Sequence, residues 1–231
     1  MNPASRASPW AARLGLIVPS WNTAMEYELQ RLCAGQYSVH TARIAYQADT
    51  VENLTRLSRE AFTAIEVLAH AQPDVVCFGC TGSGFLKTPQ EDQAFAEALT
   101  AHCGIPTLTS SAAVLSEFSH LGARRIAVAT PYEDWVNQRL RAYFEAAGFE
   151  ILALTALGDA AHGRKSAQEI AQQTIEACPP DAEAIFLSCS NLFTLDVVDS
   201  IESATGKPLL SSNIAAFRGM QRRLKEGRLP P

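Results

Sequence analysis

A chain of 231 residues with 47% hydrophobic content is long enough to bury one large core or two smaller ones, as an ordinary globular protein does. Its formal net charge of −5, with Lys and Arg dispersed among acidic neighbours, leaves no basic footprint and argues against nucleic acid as a partner. No stretch approaches the roughly 18 apolar residues of a membrane span, and the opening run Leu14 to Val18 is stopped by Pro19 short of signal-peptide length; the expected location is the cytoplasm.

The first predicted strand is "RLGLIVPS", followed by a helical "TAMEYELQRLC" in which Thr23 and Glu26 have capping-box spacing, and then by a strand "YSVHTARIAY". A long helix over about Val51 to Ala71 carries Leu54, Leu57, Phe62, Ile65 and Leu68 at spacings near three and four, and it feeds the strand "PDVVCFG". Alternation of this kind is the pattern of an α/β fold with a parallel sheet. The pattern then repeats: "RLGLIVPSWN" is echoed by "RRIAVATPYEDWVN", "DVVCFGCTG" by "EAIFLSCSN", and "GIPTLTSS" by "GKPLLSSN". An internal duplication follows, giving two pseudo-symmetric, flavodoxin-like parallel-sheet domains, one over residues 1–115 completed by 214–231 and one over 116–213. Ligands of parallel α/β sheets bind beyond the carboxyl ends of the strands, so the active site is expected in the cleft between the halves.

The stretch "VVCFGCTGSGF", Val75 to Phe85, admits three chemistries. A phosphate loop fails because Phe85 and Leu86 separate the second glycine from Lys87 and Thr88. A redox or zinc C-x-x-C fails as well. Cys77 belongs inside the strand with Cys80 beyond it, so the side chains face opposite ways, and no histidine or second cysteine pair completes a metal site. The third reading remains: Cys80 leaves the strand into a Gly/Ser/Thr loop whose amides can converge on an anion and activate a thiol. Cys189 repeats this situation before "SNLFTLDVVDSI", where Ser190 or Asn191 can cap a helix. Two opposed thiols at one carbon can exchange the roles of base or nucleophile and acid, which permits isomerisation or racemisation without a cofactor or metal. Cys33, Cys103 and Cys178 read as packing residues.

These residues resemble the Asp/Glu racemase superfamily, in its maleate cis-trans isomerase and arylmalonate decarboxylase branch. "GLIVPSWNT" is similar to the isomerases' GLIVPSSNT opening, "GCTGSG" to their first cysteine loop and "SCSNL" to their second, while "GARRIAVATPYEDWVNQRL" and "FTLDVVDSIE" are shared by both subfamilies. The decarboxylases have glycine where this chain has Cys80, so the resemblance implies an isomerase, with maleate to fumarate as the reaction. It implies Cys80 and Cys189 as the catalytic pair and Asn22, Thr81 and Tyr132 as substrate contacts, with Ser83 and Ser190 contributing through backbone amides. Ser211, Ser212 and Asn213 would shape the cleft floor. An amino-acid or hydroxy-acid racemase, an arylmalonate-type decarboxylase and a non-catalytic carboxylate-binding module remain open, as does a homo-oligomer. The chain departs from the isomerases in reading "CTGSG" in the first loop and in carrying Trp21 beside Asn22. It also lacks their further substrate-binding asparagine in "GDAAHGRKSAQ", where Asp159 or His162 would stand instead.

Overall fold

The computed structural model describes residues 9–158 and 161–226. In the first half the chain runs β1 (Ala12–Pro19), α1 (Met25–Cys33), β2 (Tyr37–Ile44), α2 (Val51–Ala69), β3 (Val75–Phe78), α3 (Thr81–Gly84), α4 (Pro89–Cys103), β4 (Thr107–Thr109) and α5 (Ser110–Leu121). The second half repeats the scheme with β5 (Arg125–Thr130), α6 (Asp134–Ala146), β6 (Glu150–Ala156), a short 3-10 helix at Ala161–Gly163 and α7 (Ala167–Glu176). It ends in β7 (Ala184–Leu187), α8 (Val198–Thr205), β8 (Leu209–Ser211) and α9 (Ser212–Glu226). The two four-stranded sheets have orders β2-β1-β3-β4 and β6-β5-β7-β8, and every pairing is parallel. The same order twice is the expected duplication. In each sheet the strand order reverses between the first and third strands of the half, which is where doubly wound folds open a crevice.

Local chemistry accounts for the elements. Strand β3 is buried along its whole length, as a central parallel strand covered on both faces must be. Helix α4 starts on a capping box, Thr88 with Glu91, behind which Pro89 takes the first helical position, and it stops at Gly104 with φ +72°. The expected boundary at 115/116 falls inside α5, because one continuous helix spans the junction. Helix α9, from the end of the chain, packs back onto α5, α1 and β3 of the first half. Residues 227–231 of that expected return lie outside the described residues. One core cluster runs through both halves, joining Leu14, Leu16 and Phe118 to Phe144 and Phe186; Phe118 meets Phe186 edge-on at 5.9 Å. That shared core holds the two sheets as one body.

Candidate functional site

Four strand ends converge on one cavity of about 210 Å³. The carboxyl end of β1 supplies Trp21 and Asn22, that of β3 supplies Cys80 and Thr81, that of β5 supplies Tyr132 and that of β7 supplies Cys189 and Ser190; all of them line the cavity. The thiols therefore come from equivalent places in the two halves, at 7% exposure for Cys80 and 9% for Cys189. Cys77 is fully buried and packs in the core cluster opposite that of Cys80, so the C-x-x-C spacing brings the two sulfurs to different faces.

The expected loop after Cys80 is a single helical turn with Cys80 at its N-cap, so the free amides of that turn, Ser83 among them, point back toward Cys80. The glycines act here mainly through space. A Cβ on Gly84 would stand 1.9 Å from the Ser111 hydroxyl and one on Gly79 2.4 Å from the Met25 sulfur, so both let a neighbour approach. Gly82, which faces the cavity, has only Leu54 within 4 Å. Cys189 has φ +119°, a conformation that L-residues rarely adopt. Such strain costs about 1–3 kcal/mol and persists where the surroundings over-determine it. Those surroundings are polar: the Cys189 amide donates to Ser212 Oγ (3.2 Å), and the Asn191 amide reaches the Cys189 sulfur (3.4 Å).

Burial pushes each thiol up to about 12, against the pull of the Ser83 amide on Cys80 and of the Asn191 amide and Tyr132 on Cys189. Asp49 raises both further, and the Lys87 charge lowers Cys80. Tyr132 lies well above its ordinary value, first through burial and then through the adjacent Cys189.

The remaining expected site residues divide. Asn22 lines the cavity and also caps α1, its Oδ1 accepting from the Ala24 (3.1 Å) and Met25 (2.9 Å) amides. This replaces the expected capping box, for α1 has no Thr23 cap; the Thr23 amide donates to Asn191 instead (2.8 Å). Neither Ser190 nor Asn191 caps a helix, because turns occupy residues 190–197 before α8 begins. They tie the halves together: Ser190 Oγ donates to the Gly79 carbonyl (2.9 Å) and accepts from Asn22 Nδ2 (3.1 Å), which joins the peptide before Cys80 to the residue after Cys189. Thr81 is at the cavity with its hydroxyl 3.2 Å from that of Ser110. Ser83 is not; its hydroxyl turns away to the Leu54 carbonyl (2.9 Å). Nor do Ser211, Ser212 or Asn213 reach the cavity, and they serve backbone and buried side chains. Trp21 forms a wall, edge-on to Tyr46 at 4.9 Å.

Asp159 and the side chain of His162 lie outside the described residues. From the same segment, however, Arg164 lines the cavity, facing Asp49 and Glu133 among its other lining residues. Sequence reading passed over Arg164 because the segment has no periodicity. Among the described residues no group of His, Cys, Asp or Glu is placed to hold a metal ion, and no helix is long and apolar enough to cross a membrane.

Fold and site together define a duplicated α/β protein with one buried thiol from each half at a shared, small-molecule-sized cavity. The chain belongs to the arylmalonate decarboxylase family, whose model matches residues 14–230. It is 28% identical over 236 residues to the maleate isomerase of Nocardia farcinica, covering 92% of this chain and 90% of that one. To the arylmalonate decarboxylase of Bordetella bronchiseptica it is 34% identical over 150 residues, 62% of each chain. Its fold matches that of a cysteine-to-serine mutant of the Nocardia farcinica maleate cis-trans isomerase carrying a covalently bound succinylcysteine intermediate, with TM-score 0.85, 24% identity and 93% of each chain covered.

Proposed function

We propose that this protein is a cofactor-independent isomerase that converts maleate to fumarate with Cys80 and Cys189. The observation that carries the reading is the pair of thiols delivered to one cavity from matching strand ends, in a chain related to maleate isomerases. The Cys80 thiolate adds to one alkene carbon, forming a C–S bond while the π pair moves to the neighbouring carbon. Cys189 gives its proton to that carbon. Rotation about the resulting single bond follows, Cys189 takes the proton back, and the electron pair re-forms the double bond as the C–S bond breaks, so that no oxidant or reductant is consumed. Thr81 and the second N–H of Asn22 hold one carboxylate, with Tyr132 and the amides around Ser190 beside it. Proton NMR of the protein with maleate and a panel of chiral acids in deuterated water tests the reading. Growth of fumarate supports it, and an unchanged maleate spectrum rejects it.

Arg164 takes the other carboxylate, standing in for the asparagine this chain lacks. It is the single basic side chain among the described cavity-lining residues, and a guanidinium pairs with a carboxylate through two parallel hydrogen bonds. Substituting Arg164→Gln is expected to raise KM for maleate about 10- to 100-fold, the worth of a charged hydrogen bond, with kcat changed less than about threefold. A KM within about twofold of wild type would remove Arg164 from substrate binding.

Asp49 and Glu133 on the same cavity favour a second reading, an amino-acid racemase whose substrate ammonium they would receive. The NMR experiment separates the two, because deuterium wash-in at an α-carbon without a new compound marks a racemase.

A further inference from the structure

Lys87 sits between α3 and α4, half-buried, directly behind the turn that carries Cys80. Its ammonium donates to the Ser83 carbonyl (3.0 Å) and to the Ser58 hydroxyl of α2 (2.9 Å), and it lies 5.0 Å from the centre of the Phe95 ring of α4. Ser83 is thereby held at three points, since its hydroxyl donates to the Leu54 carbonyl (2.9 Å) and lies 3.0 Å from that of Ser58. Its amide is one of the free amides of the turn that begins at Cys80, and such amides point back toward the residue at the N-cap. A lysine that only decorated a surface would not be threaded among two helices, an aromatic face and a carbonyl.

We propose that Lys87 is a positioning residue for Cys80: it fixes Ser83 so that the Ser83 amide points at the sulfur, and its charge favours the thiolate over the thiol. The balance of charges around Cys80 shows why a cation is needed there. Asp49 and the Cys189 sulfur both oppose ionisation of Cys80, and Glu133 adds a further carboxylate to the cavity. Neither Tyr46 nor Tyr132 brings a positive charge, and Arg164, the cation on the cavity, is engaged by the substrate carboxylate. Lys87 supplies the opposite sign from behind the turn, out of reach of the dicarboxylate. Burial, the largest influence on Lys87, works against its own charge, and Asp92, Cys80 and Glu91 sustain it. A desolvated ammonium near a thiol acts through a lower effective dielectric than a surface lysine does.

The proposal rests on Cys80 as the nucleophile, yet its test reads the sulfur without turnover. In a Cys189→Ser background, the rate of Cys80 alkylation by iodoacetamide is followed against pH, with peptide mapping to exclude the other cysteines. Lys87→Gln is expected to slow alkylation about tenfold at every pH from 7 to 10, where Cys80 is still largely a thiol, and Lys87→Arg to stay within about threefold of the parent. Ser58→Ala, which keeps the charge and loosens only its seat, slows alkylation less than Lys87→Gln. Lys87→Met, uncharged but with the apolar stem kept, repeats the test, with circular dichroism checking the fold of each variant. An unchanged alkylation rate in the uncharged variants overturns the proposal, as does failure of both to fold, for Lys87 is then a structural staple. Absence of maleate turnover in the wild type with slowed alkylation in Lys87→Gln overturns the isomerase reading and leaves the role of Lys87 standing.

Discussion

Replacing Cys80 with serine is expected to lower kcat for maleate isomerisation by about 10⁴-fold, because a serine hydroxyl ionises far less readily than a thiol and adds to an alkene far more slowly. Cys189→Ser is expected to lose about 10²- to 10⁴-fold, the usual worth of a positioned acid or base, and to differ in kind. With the nucleophile intact and the proton donor weakened in its return step, an adduct with the mass of one maleic acid should accumulate on the Cys80 peptide, visible by mass spectrometry. The pH dependence has a definite sign. Burial pushes both thiols up to about 12, so near pH 7 each is protonated in the empty site. The thiolate fraction then grows with pH, and wild-type kcat/KM should rise about tenfold per unit from pH 7 to 10. Turnover within tenfold of wild type in both single mutants would end the two-thiol mechanism.

The fold was legible because its signals are local and occur twice. Four apolar strands per half, with small polar residues after the third, are written in adjacent residues, and the echo of "FGCTG" in "LSCSN" locates both thiols at strand ends. What escaped reading is what depends on residues far apart in the chain. Thr23 and Glu26 have capping-box spacing, but the Thr23 amide is taken by Asn191 and Glu26 is drawn off to Arg43, so Asn22 caps α1 instead. Ser190 and Asn191 look like helix caps in their own segment and are instead bonded to Gly79, Asn22, Thr23 and Trp21 of the other half. The glycines read as liberators of amides, whereas Gly84 makes room for Ser111, which is 27 residues on. In each case the local rule lost to a tertiary partner that no window of sequence contains.

Glu28 illustrates the same point with the largest expected effect on stability. On an amphipathic helix its neighbours Glu26 and Arg31 are surface charges, yet Glu28 is 1% exposed. Its carboxylate accepts from the Thr194 and Leu195 amides, from the Thr194 hydroxyl (3.0 Å) and from Asn213 Nδ2 (2.7 Å), so α1 of the first half grips the turns that follow Cys189 and the start of α9. Glu28→Ala leaves the buried Thr194 amide and the part-buried Leu195 amide without their acceptor, and Asn213 Nδ2 with only the longer contact to the Leu192 carbonyl (3.5 Å). At about 1–3 kcal/mol for each orphaned group, less what entering water recovers, the expected loss is about 3–5 kcal/mol, a large share of the 5–15 kcal/mol typical of a folded domain. Glu28→Gln keeps the shape and one acceptor oxygen and should cost about half as much. Glu26→Ala, two residues away, breaks only a partly exposed pair with Arg43 and should cost less than about 1 kcal/mol. Urea unfolding of the three variants measures the differences. Equal midpoints for Glu28→Ala and Glu26→Ala would mean that the buried carboxylate does not hold the halves, and that the shared apolar core alone keeps the two cysteine turns on one cavity.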